Sequence, residues 1–151
     1  MCNGYCLVRH VSRDQKGREH YLYALAKESG RRDVVTKLME EGDPNDLIGM
    51  SLRSLMAIQD HGMQYATTRK LVRRISSNVF LVELKSRRTS WRVAAYIHDA
   101  VSGKTIPVLL DTFKGHGGKS AKIPKSTIGA YEKKALIAKE LVERELKYGN
   151  L

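Results

Sequence analysis

Acidic side chains are nearly missing from the middle of this 151-residue chain. Between Arg69 and Lys125, thirteen lysines and arginines face only Glu83, Asp99 and Asp111, which is a surplus of ten out of a net charge of +11. Upstream, nine basic residues balance nine acidic ones, and downstream the surplus is one. Positive charge gathered in one stretch favours a polyanionic partner, and phosphate backbones are the common one. A basic face kept for solubility is the competing explanation.

Other absences exclude whole classes. The two cysteines, Cys2 and Cys6, lie four positions apart, so a disulfide framework is excluded and both read as free thiols. No apolar run approaches the length of a membrane span, and the N-terminus lacks the basic-then-apolar layout of a signal peptide, so a cytoplasmic location is expected. The histidines His10, His20, His61, His98 and His116 are scattered without metal-ligand spacing, and neither a metal nor a cofactor is expected. Gly118-Lys119-Ser120 resembles the tail of a phosphate-binding loop, but the full glycine pattern is not there. Repeats and low-complexity tracts are absent as well.

What the chain does contain is a β-rich centre, Asn78 to Lys114, reading NVFLVELKSRRTSWRVAAYIHDAVSGKTIPVLLDTFK. Asn78 to Lys85 is a nearly unbroken apolar run of strand formers. Trp91 to Asp99 alternates between two faces, Trp91, Val93, Ala95 and Ile97 against Arg92, Ala94, Tyr96 and His98. Ile106 to Phe113 is a third run, and Val101-Ser102-Gly103-Lys104 supplies a turn before it, so an antiparallel meander is expected. One face buries Trp91, Val93 and Ile97 against helices, and the face carrying Arg92 and Tyr96 is left for a polar partner.

The flanks supply the rest of an α+β domain. Tyr5 to Val11 and Glu19 to Ala26 read as a hairpin around Asp14-Gln15-Lys16-Gly17, although the first seventeen or so residues also suit a loosely attached arm. Residues 1–18 are therefore set apart as an arm or extra strand and 19–148 as the domain. Arg31 to Glu41 has helical periodicity. A second helix, capped by Asn45 or Asp46, is expected to end at His61-Gly62, and the two helices form an αα-hairpin on the apolar face of the sheet. Met63 to Ser77 is a basic connector, either loop or short helical turn. Gly115 to Lys125 is a glycine- and lysine-rich loop, after which Ser126 or Thr127 caps a last amphipathic helix with Ile128, Tyr131, Ala135, Ala138 and Val142 on one stripe.

Cations at the ends of adjacent strands can cleave RNA without a metal. The 2′-hydroxyl must lose a proton, the phosphorane must be stabilised and the 5′-oxygen must gain a proton. Crowding lowers a lysine pKa toward neutrality while arginine stays charged. Lys85, Arg87, Arg88, Arg92 and Lys114 are the candidates, with Trp91, Tyr96 or Tyr131 as a stacking platform for bases. Each has a structural alternative. Lys85 can be a solvated strand end, Arg92 can pair with Glu83 across the hairpin, and Trp91 and Tyr131 can be core.

Three segments also resemble a known family. Val82-Glu83-Leu84-Lys85 is similar to the "YELR" strand of the RelE/ParE toxin superfamily, in its HigB-like, phage-derived branch. Trp91 to Tyr96 is similar to that family's "YRVFY" strand, and Val108 to Lys114 to its "LLHGFVKK". The resemblance covers about Glu19 to Glu145, continuing through Pro124 and Ala135. It implies a RelE-like fold ordered β, α, α, β, β, β, α, and an mRNA endonuclease of a type II toxin–antitoxin module, free or on the ribosome. A cognate antitoxin, of helix-turn-helix type and acidic where it covers the meander, would neutralise it. Carried over by position, Arg92 contacts the phosphate or transition state, Lys85 closes the second strand, and Lys114 approximates the lysine pair after the last one. Gly115 and His116 stand where the pair continues, Asp111 stands for the usual histidine, and the loop before Pro124 is longer than the family's. His116 as an acid, and Lys119 or Lys122 as substitutes for the missing lysine, fill the gap. Members of the ParE type share the fold but inhibit DNA gyrase by protein contacts, and an inactive nucleic-acid-binding relic is a further alternative.

Overall fold

Alternating apolar side chains build one six-stranded sheet with a helix on each face. The computed structural model describes residues 4–13, 16–17, 19–30, 33, 36, 44–70, 72–85, 90–99, 105–115, 123–149 and 151. The strands are β1 (Tyr5–Arg13), β2 (Glu19–Lys27), β3 (Val72–Arg74), β4 (Phe80–Lys85), β5 (Ser90–Asp99) and β6 (Thr105–Gly115). Two helices are described, α1 (Pro44–Thr68) between β2 and β3, and α2 (Lys125–Lys147) after β6. The sheet order is β1-β2-β6-β5-β4-β3.

The expected antiparallel pairing holds from β4 through β6 and in the β1–β2 hairpin; β3, inside the segment expected to be a loop or helical turn, adds a further antiparallel strand, whereas β2 and β6 run parallel. Tight turns force antiparallel neighbours, but β2 and β6 are joined only through α1 and the whole meander, which leaves their relative direction free. The sheet is therefore mixed. The fold class is α+β, as composition and pattern suggest.

Both faces of the sheet are covered. On one, Leu55, Ile58 and Ala66 of α1 meet Val82, Val93, Ile97 and Leu109. On the other, Tyr131, Ala135, Ala138 and Val142 of α2 meet Ala94, Tyr96, Val108 and Leu110. This corrects the expectation that the Arg92/Tyr96 face is open: α2 packs on Ala94 and Tyr96, and only the flanking alternate positions Arg92 and His98 are partly exposed. The small side chains Ala94, Ala135 and Ala138, all at 0% exposure, allow the close approach.

Three boundaries also differ. Helix α1 starts at Pro44, a residue suited to a first helical position, so Asn45 and Asp46 lie inside its first turn rather than before it. It breaks at Gly62 (φ 81, ψ −178) and then resumes to Thr68, where the Thr67 and Thr68 hydroxyls donate to the carbonyls of Met63 and Gln64. Helix α2 begins at Lys125 behind Pro124, without a side-chain cap from Ser126 or Thr127. The fixed φ of proline orients the first turn instead, and the Pro124 carbonyl accepts the Ile128 N–H at 3.0 Å. The helix expected over 31–41, and with it the αα-hairpin, lies outside the described residues except at Asp33 and Thr36. Buried Asp33 accepts the Thr36 N–H at 3.1 Å, as an N-cap does, and its Oδ2 is 2.9 Å from Nε2 of His10. Among the described residues no helix is long and apolar enough to cross a membrane.

Candidate nucleic-acid interface

Strand register decides which candidate cations are neighbours. Arg92 in β5 lies opposite Glu83 of β4 and Phe113 of β6, while Lys85 pairs with Ser90 and Lys114 with Trp91. With strands about 4.8 Å apart and a rise of about 3.3 Å per residue, the Cα of Lys114 is roughly 6 Å and that of Lys85 roughly 8 Å from the Cα of Arg92. Three basic positions thus lie at one end of three adjacent strands, Lys85 in line with the Arg92 face of the sheet and Lys114, opposite Trp91, at the alternate position. The Glu83–Arg92 register equally permits the cross-strand pair considered above.

Local contacts fix this end of the sheet. Thr112, 5% exposed, donates its hydroxyl to the Arg92 carbonyl at 3.1 Å, tying β6 to β5 at the Arg92 rung. The register shifts between Ala94 and Ala95, whose partners are Asp111 and Leu109, so Leu110 is the extra residue of a β-bulge. Bulges re-aim side chains. Asp111 reaches Lys134 of α2 at 3.9 Å and accepts the Thr112 N–H at 2.8 Å. Its carboxylate is engaged in holding α2 to β6.

Tyr96 and Tyr131 are not stacking platforms, because each is only 6% exposed, Tyr96 beneath α2 and Tyr131 on the buried stripe of that helix. Burial, with the charge of Glu143 as a lesser cause, pushes the Tyr96 hydroxyl up to about 12. Burial and then Asp111 do the same for Tyr131, also to about 12. The Tyr96 hydroxyl lies 3.1 Å from Nδ1 of His98, an internal partner. Both rings are core. For Lys85 and Lys114 the backbone alone is described, and Arg87, Arg88, His116, Lys119 and Lys122 lie outside the described residues.

A second cationic surface was not singled out from the sequence. Arg69 and Lys70 in the turn after α1, and Arg73 and Arg74 in β3, are all exposed on the sheet's edge. The Arg69 guanidinium sits 5.3 Å from the centre of the Tyr65 ring, and that of Arg74 sits 5.0 Å from the Phe80 ring. Beside Arg74 opens a groove of about 630 Å³, lined by Thr67, Thr68, Ser77, Asn78 and Phe80 among others. The signal was present in the sequence: no Asp or Glu occurs from His61 to Val82, while four cations do. It was hidden because the segment has no long period and reads as a connector. A further cleft of about 450 Å³, between β1 and the end of α2, is lined by Tyr5, Arg9, Glu28, Arg144 and Glu145, with no comparable surplus of one charge.

Comparison of the chain with family models, curated proteins and solved structures gives no match.

Proposed function

We propose that this chain is a RelE-like toxin, an mRNA endonuclease that cleaves through the 2′-hydroxyl without a metal and is neutralised by an acidic antitoxin. The observation that carries the reading is the register that brings Lys85, Arg92 and Lys114 to one end of three neighbouring strands. The order of strand, helix, antiparallel meander and terminal helix from β2 onward, and the confined positive charge, also support it.

In this reading Arg92 binds the scissile phosphate, and its fixed charge offsets the extra negative charge of the phosphorane. A lysine of the cluster takes the proton from the 2′-oxygen, a role that requires its cationic neighbours to hold it neutral. The 2′-oxygen then bonds to phosphorus, the bond to the 5′-oxygen breaks, and that oxygen leaves with a proton from a second cationic acid. The products are a 2′,3′-cyclic phosphate and a 5′-hydroxyl.

The test is cleavage of mRNA by purified protein in EDTA, with and without translating ribosomes. Expected are cyclic-phosphate ends, no cleavage where the attacking nucleotide lacks its 2′-hydroxyl, and a rate lowered roughly 10²- to 10³-fold in Arg92→Ala, the usual loss of one charge-stabilising donor. Intact RNA under both conditions, or inhibition of DNA gyrase in its place, would overturn the proposal.

A further inference from the structure

The edge formed by Arg69, Lys70, Arg73 and Arg74 is separate from the Arg92 rung and has no part in the chemistry above. We propose that it is a binding track for the phosphates of single-stranded RNA, with the adjacent groove taking one nucleoside. The direction of the strand, outward from the rung, rests on the nuclease reading; the binding itself does not.

Register gives the path. Val72 pairs with Val82 and Arg74 with Phe80, whereas Arg92 lies opposite Glu83. The Arg69–Lys70 turn is therefore at the end of the sheet nearest the rung, and Arg74 is at the far end of the same edge. A chain leaving the rung past β4 meets Lys70 first and Arg74 last.

Charge and posture favour phosphate. Among the described residues, no carboxylate pairs with any of the four cations. Two of the guanidiniums lie over aromatic rings, and Arg74 also donates to the Ser77 carbonyl at 3.5 Å, so they are held in place with N–H edges still open to an anion. The groove of about 630 Å³ combines hydroxyl and amide groups with the apolar side chains of Met63, Phe80 and Ile97, a mixed lining that suits the polar edge and apolar face of a base. That is a volume suited to a small polar ligand such as one unstacked nucleoside, and too confined for a duplex.

Lys70 adds an independent mark. It holds a left-handed backbone (φ 57), a conformation that glycine or asparagine adopts more readily. A lysine kept there at a conformational cost fits a role for its ammonium group.

The experiment measures binding of a short 2′-O-methyl oligonucleotide, which cannot be cleaved, across a salt series. Lys70→Gly relieves the backbone, so its melting temperature is expected to be no lower than that of the native chain while its affinity falls. Combining it with Arg73→Ala is expected to weaken binding about tenfold at low salt and to reduce the slope of log affinity against log salt by roughly 1.4, about 0.7 for each phosphate no longer neutralised. Unchanged affinity and slope in the double variant would overturn the inference, as would binding of polyglutamate but not the oligonucleotide through these residues, which would assign the edge to an acidic protein. The two proposals fail separately. Edge variants that bind normally while Arg92→Ala abolishes cleavage sink only the track, and a reduced slope without any cleavage by the native chain sinks only the nuclease.

Discussion

Glu132 joins the last helix to the turn before β4. Its carboxylate accepts the Ser76 hydroxyl at 2.6 Å, the Asn78 side-chain amide at 2.8 Å and the Asn78 backbone N–H at 3.2 Å. Burial pulls its pKa upward, but the three hydrogen bonds favour the charged form and the net result lies below the ordinary value of 4.5. A carboxyl whose folded pKa is depressed binds protons more readily in the unfolded chain. Its contribution to stability is therefore complete above the unfolded pKa and is lost as pH falls through the folded one. Glu132→Ala should cost roughly 1–3 kcal/mol at neutral pH by urea denaturation, because it leaves the Ser76 and Asn78 donors without their acceptor. The difference from the native chain should shrink as pH falls below 4.5; a constant difference down to the acid limit would show that the charge is irrelevant to the clamp.

At the scale of the element, two glycines make opposite predictions. Gly62 interrupts α1 with φ 81 and ψ −178, and a Cβ there would meet only Thr105 Oγ1, at 3.9 Å. The cost of Gly62→Ala is therefore conformational rather than steric, roughly 1–3 kcal/mol for a backbone region essentially confined to glycine. Gly129 lies within α2 with nothing near its would-be Cβ, so Gly129→Ala should stabilise by about 0.5–1 kcal/mol. Thermal denaturation of the two variants checks the contrast, and equal effects would refute it. The same elements show how far the sequence could be read. β4, β5 and β6 are legible from strand-forming runs and alternation, and the buried stripe of α2 from its period of Tyr131, Ala135, Ala138 and Val142. β3 is not, because three residues, Val-Arg-Arg, are too short to display a period. The second covered face of β5 is not either, since Ala94 and Tyr96 between Arg92 and His98 look like the polar half of an amphipathic strand; only the small side chains of α2 reveal what packs there. Of the candidate site, the positions of Lys85, Arg92 and Lys114 near the ends of neighbouring strands were legible. The burial of Tyr96 was not, because it depends on contacts made by α2 far along the chain.

For the whole molecule, the unequal distribution of charge makes the effect of salt reverse sign with the partner. Alone, the chain folds against its own net charge of +11, and ions that screen this self-repulsion should raise its melting temperature. With a saturating oligonucleotide the folded state gains RT ln(1 + [L]/Kd), so whatever weakens binding lowers stability. If about four phosphates are engaged, each tenfold rise in salt removes roughly 2.8 decades of affinity, or about 4 kcal/mol, which exceeds what screening of exposed charges returns. Melting curves over a salt series are thus expected to rise for the free protein and fall for the complex, converging at high salt where the polyanion dissociates. A shift by the oligonucleotide that survives high salt undiminished would mean that contacts other than the phosphates dominate. Parallel rising curves at every salt concentration would mean that the surplus between Arg69 and Lys125 serves solubility instead of binding.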